Sequence, residues 1–256
     1  MPSAFPARRT AIITGVGSER GIGRRTAWVL AQAGWNLGLI ARHADQAERL
    51  AAEISAAHAV RAVGAGADLA NRAEASRAID TIEASAPQIV ALVNCAGVSS
   101  PTPYLEVEPE EWRHVLTANL DAVHWVTQRV ARTLTDNGVG RIVSLSSVSS
   151  HRGGGTYSKT PYSASKAAVE ALMRGIAREL GRRGVTANAI APGPVDTDLM
   201  GGTLTPERKE GMAADSVLDA IATPQDVAAT IRHLVSEEAA LITGQTVHIN
   251  GGLHMT

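Results

Sequence analysis

The chain holds a single cysteine, Cys95, in 256 residues. An internal disulfide is therefore excluded, and no cysteine cluster is available to bind a metal. Aromatic residues make up only 3% of the chain, so an interior has to be filled by Ala, Val, Leu and Ile. Neither sign of charge dominates: 24 Lys and Arg stand against 25 Asp and Glu, a formal net charge of −1. No global field recruits nucleic acid or an anionic membrane. No apolar run approaches bilayer-spanning length, and the first residues, MPSAFPARRT, lack the apolar core of a secretory signal. The expectation is a cytoplasmic protein with neither nucleic acid nor membrane among its partners. Short-period repeats, low-complexity tracts and linkers are missing too. Residues 1–8 read as a loose tail, and residues 1–256 as one domain long enough for a substantial core.

What is present is a regular alternation. Short β-branched or apolar runs occur at Arg9–Thr14, Asn36–Ala41, Val60–Ala67, Ile89–Val93, Arg141–Leu145, Val185–Ile190 and Thr246–Ile249. Between them lie helical patterns at Gly23–Ala33, Asp45–Ala57, Asn71–Ala84, Pro109–Thr135, Ser163–Leu180 and Pro224–Ser236. Strands alternating with helices predict an α/β fold, a parallel sheet covered by helices on both faces.

After the first run comes Thr14-Gly15-Val16-Gly17-Ser18-Glu19-Arg20-Gly21-Ile22-Gly23. Glycines at a strand-to-helix turn let the backbone approach a diphosphate, and the helix N-terminus supplies N–H donors and partial positive charge. Gly15, Ser18, Arg20, Gly21, Ile22 and Gly23 are the candidates for that contact. The second run ends in Ala41-Arg42, with no carboxylate before Asp45. A carboxylate at that point would accept from a ribose 2′-hydroxyl, whereas a guanidinium suits a 2′-phosphate. Arg42, with Arg20 closing from the other side, therefore favours NADP(H) over NAD(H).

Tyr162 and Lys166 stand four residues apart, a spacing that shares one helix face. Thr160 reads as the N-cap of that helix and Pro161 as its first residue. A free Tyr has a pKa of about 10. An ammonium about 4 Å away, at an effective dielectric near 20, is worth about 4 kcal/mol. That amounts to about three pKa units, enough to bring the phenol towards useful proton exchange. Tyr104 and Tyr157 are followed at the same spacing by Glu108 and Pro161, so only Tyr162 fits.

These pieces stand together in an order that resembles the short-chain dehydrogenase/reductase family from Thr10 to the C-terminus. The residues that carry the resemblance are the glycine loop, Asp68-Leu69, Asn94-Cys95-Ala96-Gly97, Asn119, Ser147, Tyr162-x-x-x-Lys166 and Pro192-Gly193-Pro194-Val195-Asp196-Thr197. The resemblance implies a Rossmann-like doubly wound sheet and a set of roles. Asp68 and Leu69 would flank the adenine. Asn94, Ala96 and Gly97 would pass beside the ribose. Pro192, Gly193, Val195 and Thr197 would position the nicotinamide end. Ser147 would hold a carbonyl oxygen, Tyr162 would deliver the proton, and Lys166 would lower the tyrosine's pKa and bind ribose. Asn119 would hold a water in a proton relay, its alternative being a buried Asn bonded to backbone. Three features depart from the family pattern. Five residues rather than three separate Gly15 from Gly21, Cys95 replaces a second Asn, and Ser147 lies fifteen residues before Tyr162, which leaves Ser146 and Ser149 as competing serines.

The function this implies is NADP(H)-dependent interconversion of a ketone and a secondary alcohol, with a carbonyl or 3-oxoacyl thioester as the reduced substrate. The tail ITGQTVHINGGLHMT looks like that of bacterial 3-oxoacyl-acyl-carrier-protein reductases. Arg129, Arg132 and Arg174 offer positive charge to an acidic carrier. The segment 198–216 occupies the place of the family's substrate lid, and the small residues Ala164, Ala168, Ala171 and Gly175 suit helix packing in a homotetramer. An NAD-dependent alcohol, sugar or steroid dehydrogenase is the alternative. A cofactor-sensing regulator is the remaining one, disfavoured because such proteins lose part of the Ser/Tyr/Lys set.

Overall fold

The computed structural model describes residues 5–255. Residues 1–4 of the expected tail lie outside the described residues. Its remainder is not loose: the Phe5 ring packs edge-on against Trp35 at 5.8 Å, and the Arg141 guanidinium lies 4.9 Å from the Phe5 ring centre.

Seven strands form one sheet: β1 (Thr10–Thr14), β2 (Asn36–Ala41), β3 (Ala62–Gly66), β4 (Ile89–Asn94), β5 (Gly140–Leu145), β6 (Val185–Pro192) and β7 (Thr246–Ile249). Their order is β3-β2-β1-β4-β5-β6-β7, and every pairing is parallel. The helices are α1 (Ile22–Gln32), α2 (Ala44–Ala57), α3 (Arg72–Ser85), α4 (Pro109–Leu116), α5 (Ala122–Asp136), α6 (Ser149–Arg152), α7 (Thr160–Leu180), α8 (Pro206–Ala213) and α9 (Pro224–Leu234).

Alternate strand residues face opposite sides, and the core divides accordingly. Ala11, Ile13, Leu37 and Leu39 pack with Leu30 of α1, Leu50 and Ile54 of α2, and Ile231 of α9. Ile12, Ile40 and Leu92 face the other way, onto Ile79 of α3, Val126 and Val130 of α5, and Val169 and Met173 of α7. Strands buried on both faces need no polar alternation, which is why the sequence shows continuous apolar runs. The strand order reverses between β1 and β4, and a ligand crevice opens at such a switch point, beyond the carboxyl ends of the strands.

Two helices differ from expectation. The stretch Pro109–Thr135 is not one helix, because a π turn at Thr117–Asp121 separates α4 from α5. At its centre, Asn119 is fully buried and bonds both backbone groups of Val98: Nδ2 donates to Val98 O at 3.0 Å, and Val98 N–H donates to Oδ1 at 2.8 Å. A side chain held that firmly by a loop outside the helix shifts the local hydrogen-bond ladder. The N-cap position of the long helix α7 is Lys159, whose side chain makes no capping bond, rather than Thr160; the helix begins at Thr160, with Pro161 in its first turn, where a missing N–H costs nothing.

Candidate active site

A cleft of about 820 Å³ runs across the carboxyl ends of the strands. Its phosphate end is the turn from β1 to α1. Gly15 takes φ +73°, and a Cβ there would lie 2.6 Å from Ala96 N. A Cβ on Gly23 would lie 2.6 Å from Gly15 O. The turn therefore needs glycine at both places to bring strand and helix ends together. Gly21 caps α1 without a side chain, and no acidic residue occupies the first helical turn. The free N–H groups and positive end of α1 thus face the cleft with nothing anionic in that turn. Gly15, Ser18, Gly21, Ile22 and Gly23 all line this end, and a diphosphate fits it.

The two arginines expected to work together part company. Arg42, exposed at the end of β2, lines the cleft, as do Asp68 and Leu69 beyond β3. Arg20 points elsewhere: its guanidinium pairs with Asp196, donates to Thr203 Oγ1 at 2.6 Å and lies 3.7 Å from Asp198. Lys209 Nζ of α8 adds a second cation to Asp196 at 2.5 Å. The Lys209 hydrogen bond, with help from Leu204 N–H and Arg20, holds the Asp196 carboxyl below its ordinary pKa. Ser18 Oγ donates to Asp198 Oδ2 at 2.5 Å. The lengthened glycine loop is thereby clamped to the segment beyond β6, and Arg20, paired there, does not line the cleft with Arg42.

Where β4 ends, Ala96 and Gly97 line the cleft, whereas Asn94 does not. Asn94 is buried, and its Nδ2 donates to Thr127 Oγ1 and Ser144 Oγ, both at 3.0 Å, tying β4 to α5 and β5. The backbone N–H groups of Cys95 and Ala96 donate to Thr14 Oγ1 instead. The Asn94 side chain is therefore committed to the fold, and of the expected ribose neighbours Ala96 and Gly97 reach the cleft. Across the cleft, Pro192, Gly193, Val195 and Thr197 form the wall where β6 ends.

The first turns of α7 place Tyr162 and Lys166 on the floor, 5% and 4% exposed. Ser147 lines the cleft with Tyr162 and is the serine whose side chain acts on the phenol's titration. That separates the three serines. Ser146 Oγ is turned into the protein, donating to Glu170 Oε1 at 2.6 Å, and the backbone N–H of Ser149 donates to Ser147 Oγ at 3.1 Å. Lys166 Nζ donates to Leu145 O at 2.8 Å, 5.6 Å from the centre of the Tyr162 ring.

The electrostatics differ from the sequence argument. Burial pushes the Tyr162 phenol up, with Ser147 opposing. Burial also pulls the Lys166 ammonium down to about 8, against the pull of Cys95. Cys95 itself is pushed up to about 12 by burial, with Lys166 opposing. Desolvation disfavours every charged form here, and the ammonium is held on the Leu145 carbonyl. Burial therefore outweighs the lowering expected for the tyrosine. Asn119 is the buried Asn bonded to backbone: it holds Val98 and donates to Ser165 Oγ at 3.0 Å, so it buttresses the floor, and Oδ1 keeps one acceptor lone pair.

Sequence reasoning missed the clamp residues Asp196 and Asp198, the buried Ser165 and the buried Glu170. The last had a signal, since it follows Tyr162 and Lys166 at the same four-residue interval. Of the basic residues offered to a carrier, Arg129 is committed to Asp80 and Glu83. Among the described residues no helix is long and apolar enough to cross a membrane.

Comparison with known proteins agrees with this geometry. A family model described as enoyl-(acyl carrier protein) reductase matches residues 15–254. A Sinorhizobium fredii protein named as an uncharacterized short-chain type dehydrogenase/reductase is 32% identical over 245 residues, 96% of this chain and 97% of its own. The 3-oxoacyl-(acyl-carrier-protein) reductase FabG of Aquifex aeolicus is 34% identical, covering 93% of this chain and 94% of its own. A solved short-chain type dehydrogenase/reductase from Mycobacterium ulcerans superposes with a TM-score of 0.87 at 30% identity, over 98% of this chain and 91% of that one.

Proposed function

The chain belongs to the short-chain dehydrogenase/reductase family, oxidoreductases of the CH–OH/C=O class that use NAD(P), and from that premise we propose that it reduces a ketone, with a 3-oxoacyl thioester as the leading substrate class and NADPH as reductant. The observation that carries this reading is the meeting of Ser147 and Tyr162 at the floor of one cleft, with Lys166 one helical turn further on.

The glycine turn and the α1 N-terminus fit a diphosphate, and Arg42 fits a 2′-phosphate. Asp68 and Leu69 would border the adenine, Ala96 and Gly97 the ribose, and Pro192, Gly193, Val195 and Thr197 the nicotinamide end. When bound, the cofactor supplies the hydride that reaches the carbonyl carbon. The chain's part is to receive the carbonyl oxygen between the hydroxyls of Ser147 and Tyr162, whose hydrogen bonds strengthen as negative charge grows there. The Tyr162 proton then passes to that oxygen. A phenol kept protonated by burial suits this donor role better than the base role needed to oxidise an alcohol. Lys166, held on Leu145 O one helical turn from Tyr162, would bind the ribose. Asn119 acts by holding the floor in place.

The NADPH preference rests on Arg42, which is exposed on the cleft and has no partner among the described residues. The NAD-dependent dehydrogenase reading lacks the carboxylate it needs at that position. A cytoplasmic homotetramer completes the proposal. Its support is the exposure of Ala171 and Gly175 on α7 and of Leu105 and Trp112 at and beside α4.

The test mixes the protein with NADPH or NADH and a panel of small ketones, a 3-oxoacyl thioester and a 2-enoyl thioester, following loss of the reduced cofactor. Consumption of NADPH with the 3-oxoacyl thioester is the expected result. Turnover of the enoyl thioester alone would move the chemistry to carbon–carbon reduction, and a preference for NADH would overturn the Arg42 argument.

A further inference from the structure

Tyr162, Lys166 and Glu170 repeat at i, i+4 and i+8 along α7, and all three are buried on one face. The reaction proposed above uses the first two. A carboxylate 4% exposed on a helix is costly unless donors surround it, and these donors come from the loop that carries Ser147. Glu170 Oε1 accepts from Ser146 Oγ and from Ser150 Oγ, each at 2.6 Å. Its other oxygen faces His151 Nε2 at 3.2 Å and Arg174 at 4.0 Å. Ser146 and Ser150 bracket Ser147, and Ser150 also reaches the Ser147 carbonyl, through its hydroxyl at 2.6 Å and its N–H at 3.0 Å. Ser146 Oγ lies 3.1 Å from Lys166 O. Each hydroxyl carries one hydrogen, and the charged oxygen is the strongest acceptor in its reach. The imidazoles of His248 and His254 close over His151 at 4.8 and 4.9 Å between ring centres.

We propose that Glu170 is a positioning residue for the reaction, acting through Ser147 by tethering the Ser146–Ser150 turn to the helix that carries Tyr162. The tether sets the separation of the two hydroxyls that receive the carbonyl oxygen. Both ends are referenced to one rigid element: Tyr162 is part of α7, and Ser147 is pinned to it two turns later. The inference rests on the reading of Ser147 as a substrate-binding serine.

The test is a double-mutant cycle of Glu170→Ala and Ser147→Ala, measuring ketone reduction with NADPH and, separately, NADPH binding by fluorescence titration. Glu170→Ala is expected to lower kcat by about 10- to 100-fold, the scale of a small misplacement of a reacting group, with NADPH affinity unchanged. In the Ser147→Ala background the same substitution is expected to change kcat by less than about twofold, because residues acting as a unit are not additive. Glu170→Gln retains an acceptor oxygen for both serines and is expected to recover most of the rate. A merely structural role predicts equal losses in both backgrounds, and that result would overturn the proposal. So would an unaffected kcat in Glu170→Ala while Ser147→Ala is impaired. If Ser147→Ala itself turns over normally, the serine reading fails and takes this inference with it. Should Glu170→Ala not fold, Ser150→Ala removes one of the same contacts and must show a smaller loss with the same dependence on Ser147.

Discussion

At the catalytic end of the cleft the polar groups are buried and committed. Asn119 is fully buried and spends its amide on Val98 and Ser165, and Glu170 is 4% exposed and takes two serine hydroxyls. At the phosphate end the comparable work is done by a surface cluster. The Arg20–Asp196 pair is 33% and 22% exposed, and Lys209 and Asp198 beside it are 41% and 47% exposed. Exposed ion pairs contribute up to about 1 kcal/mol each. A buried donor or acceptor left without its partner costs about 1–3 kcal/mol. One end of the cleft is therefore rigid by construction. The other is closed by exposed ion pairs, each individually weak.

The comparison breaks most sharply at the rigid end. Tyr162→Phe removes the proton donor and leaves the ring packing, so turnover is expected to fall by at least about 10³-fold, with NADPH binding retained in a fluorescence titration. Normal turnover in that variant would remove Tyr162 from the mechanism. Asn119→Ala strands both backbone groups of Val98 and takes one donor from Ser165 Oγ, which keeps its bond to Tyr162 O. We expect a loss of about 3 kcal/mol in urea unfolding, against no more than a few tenths for a solvated Asn.

Smaller effects are expected at the open end. Arg42→Ala should reduce the preference for NADPH over NADH by about tenfold or more, the value of one charge-assisted hydrogen bond. This is read from the ratio of kcat/KM with the two cofactors, and an unchanged ratio would detach Arg42 from the 2′-phosphate. Arg20→Ala should cost less than about 1 kcal/mol of global stability while speeding amide hydrogen exchange in α8. A large global loss would show that the clamp is part of the fold rather than a closure on it.

Much of this architecture could be read from residue order. Strand–helix alternation gave the seven parallel strands, and the four-residue interval gave the shared face of Tyr162 and Lys166. Other features were hidden for identifiable reasons. Five residues of glycine loop do not say which way Arg20 turns, because its partners lie about 180 residues further along the chain. Helical periodicity from Pro109 to Thr135 runs unbroken through Thr117–Asp121, because the π turn is made by one Asn reaching a loop outside the helix. Three serines in four residues are equivalent until packing turns Ser146 inward to Glu170 and leaves Ser147 facing the cleft with Tyr162.

What the sequence by itself determined is the set of short-range choices: which runs pair as buried strands, where glycine permits a close turn, and which side chains share a helix face. Those follow from backbone geometry and local spacing, and neither needs knowledge of distant residues. Tertiary structure alone decided which arginine faces the cleft, which serine meets the tyrosine, and in which direction the buried phenol and ammonium shift. Each of these depends on burial and on partners far away in the chain, and desolvation is a property of the folded interior that no local pattern carries.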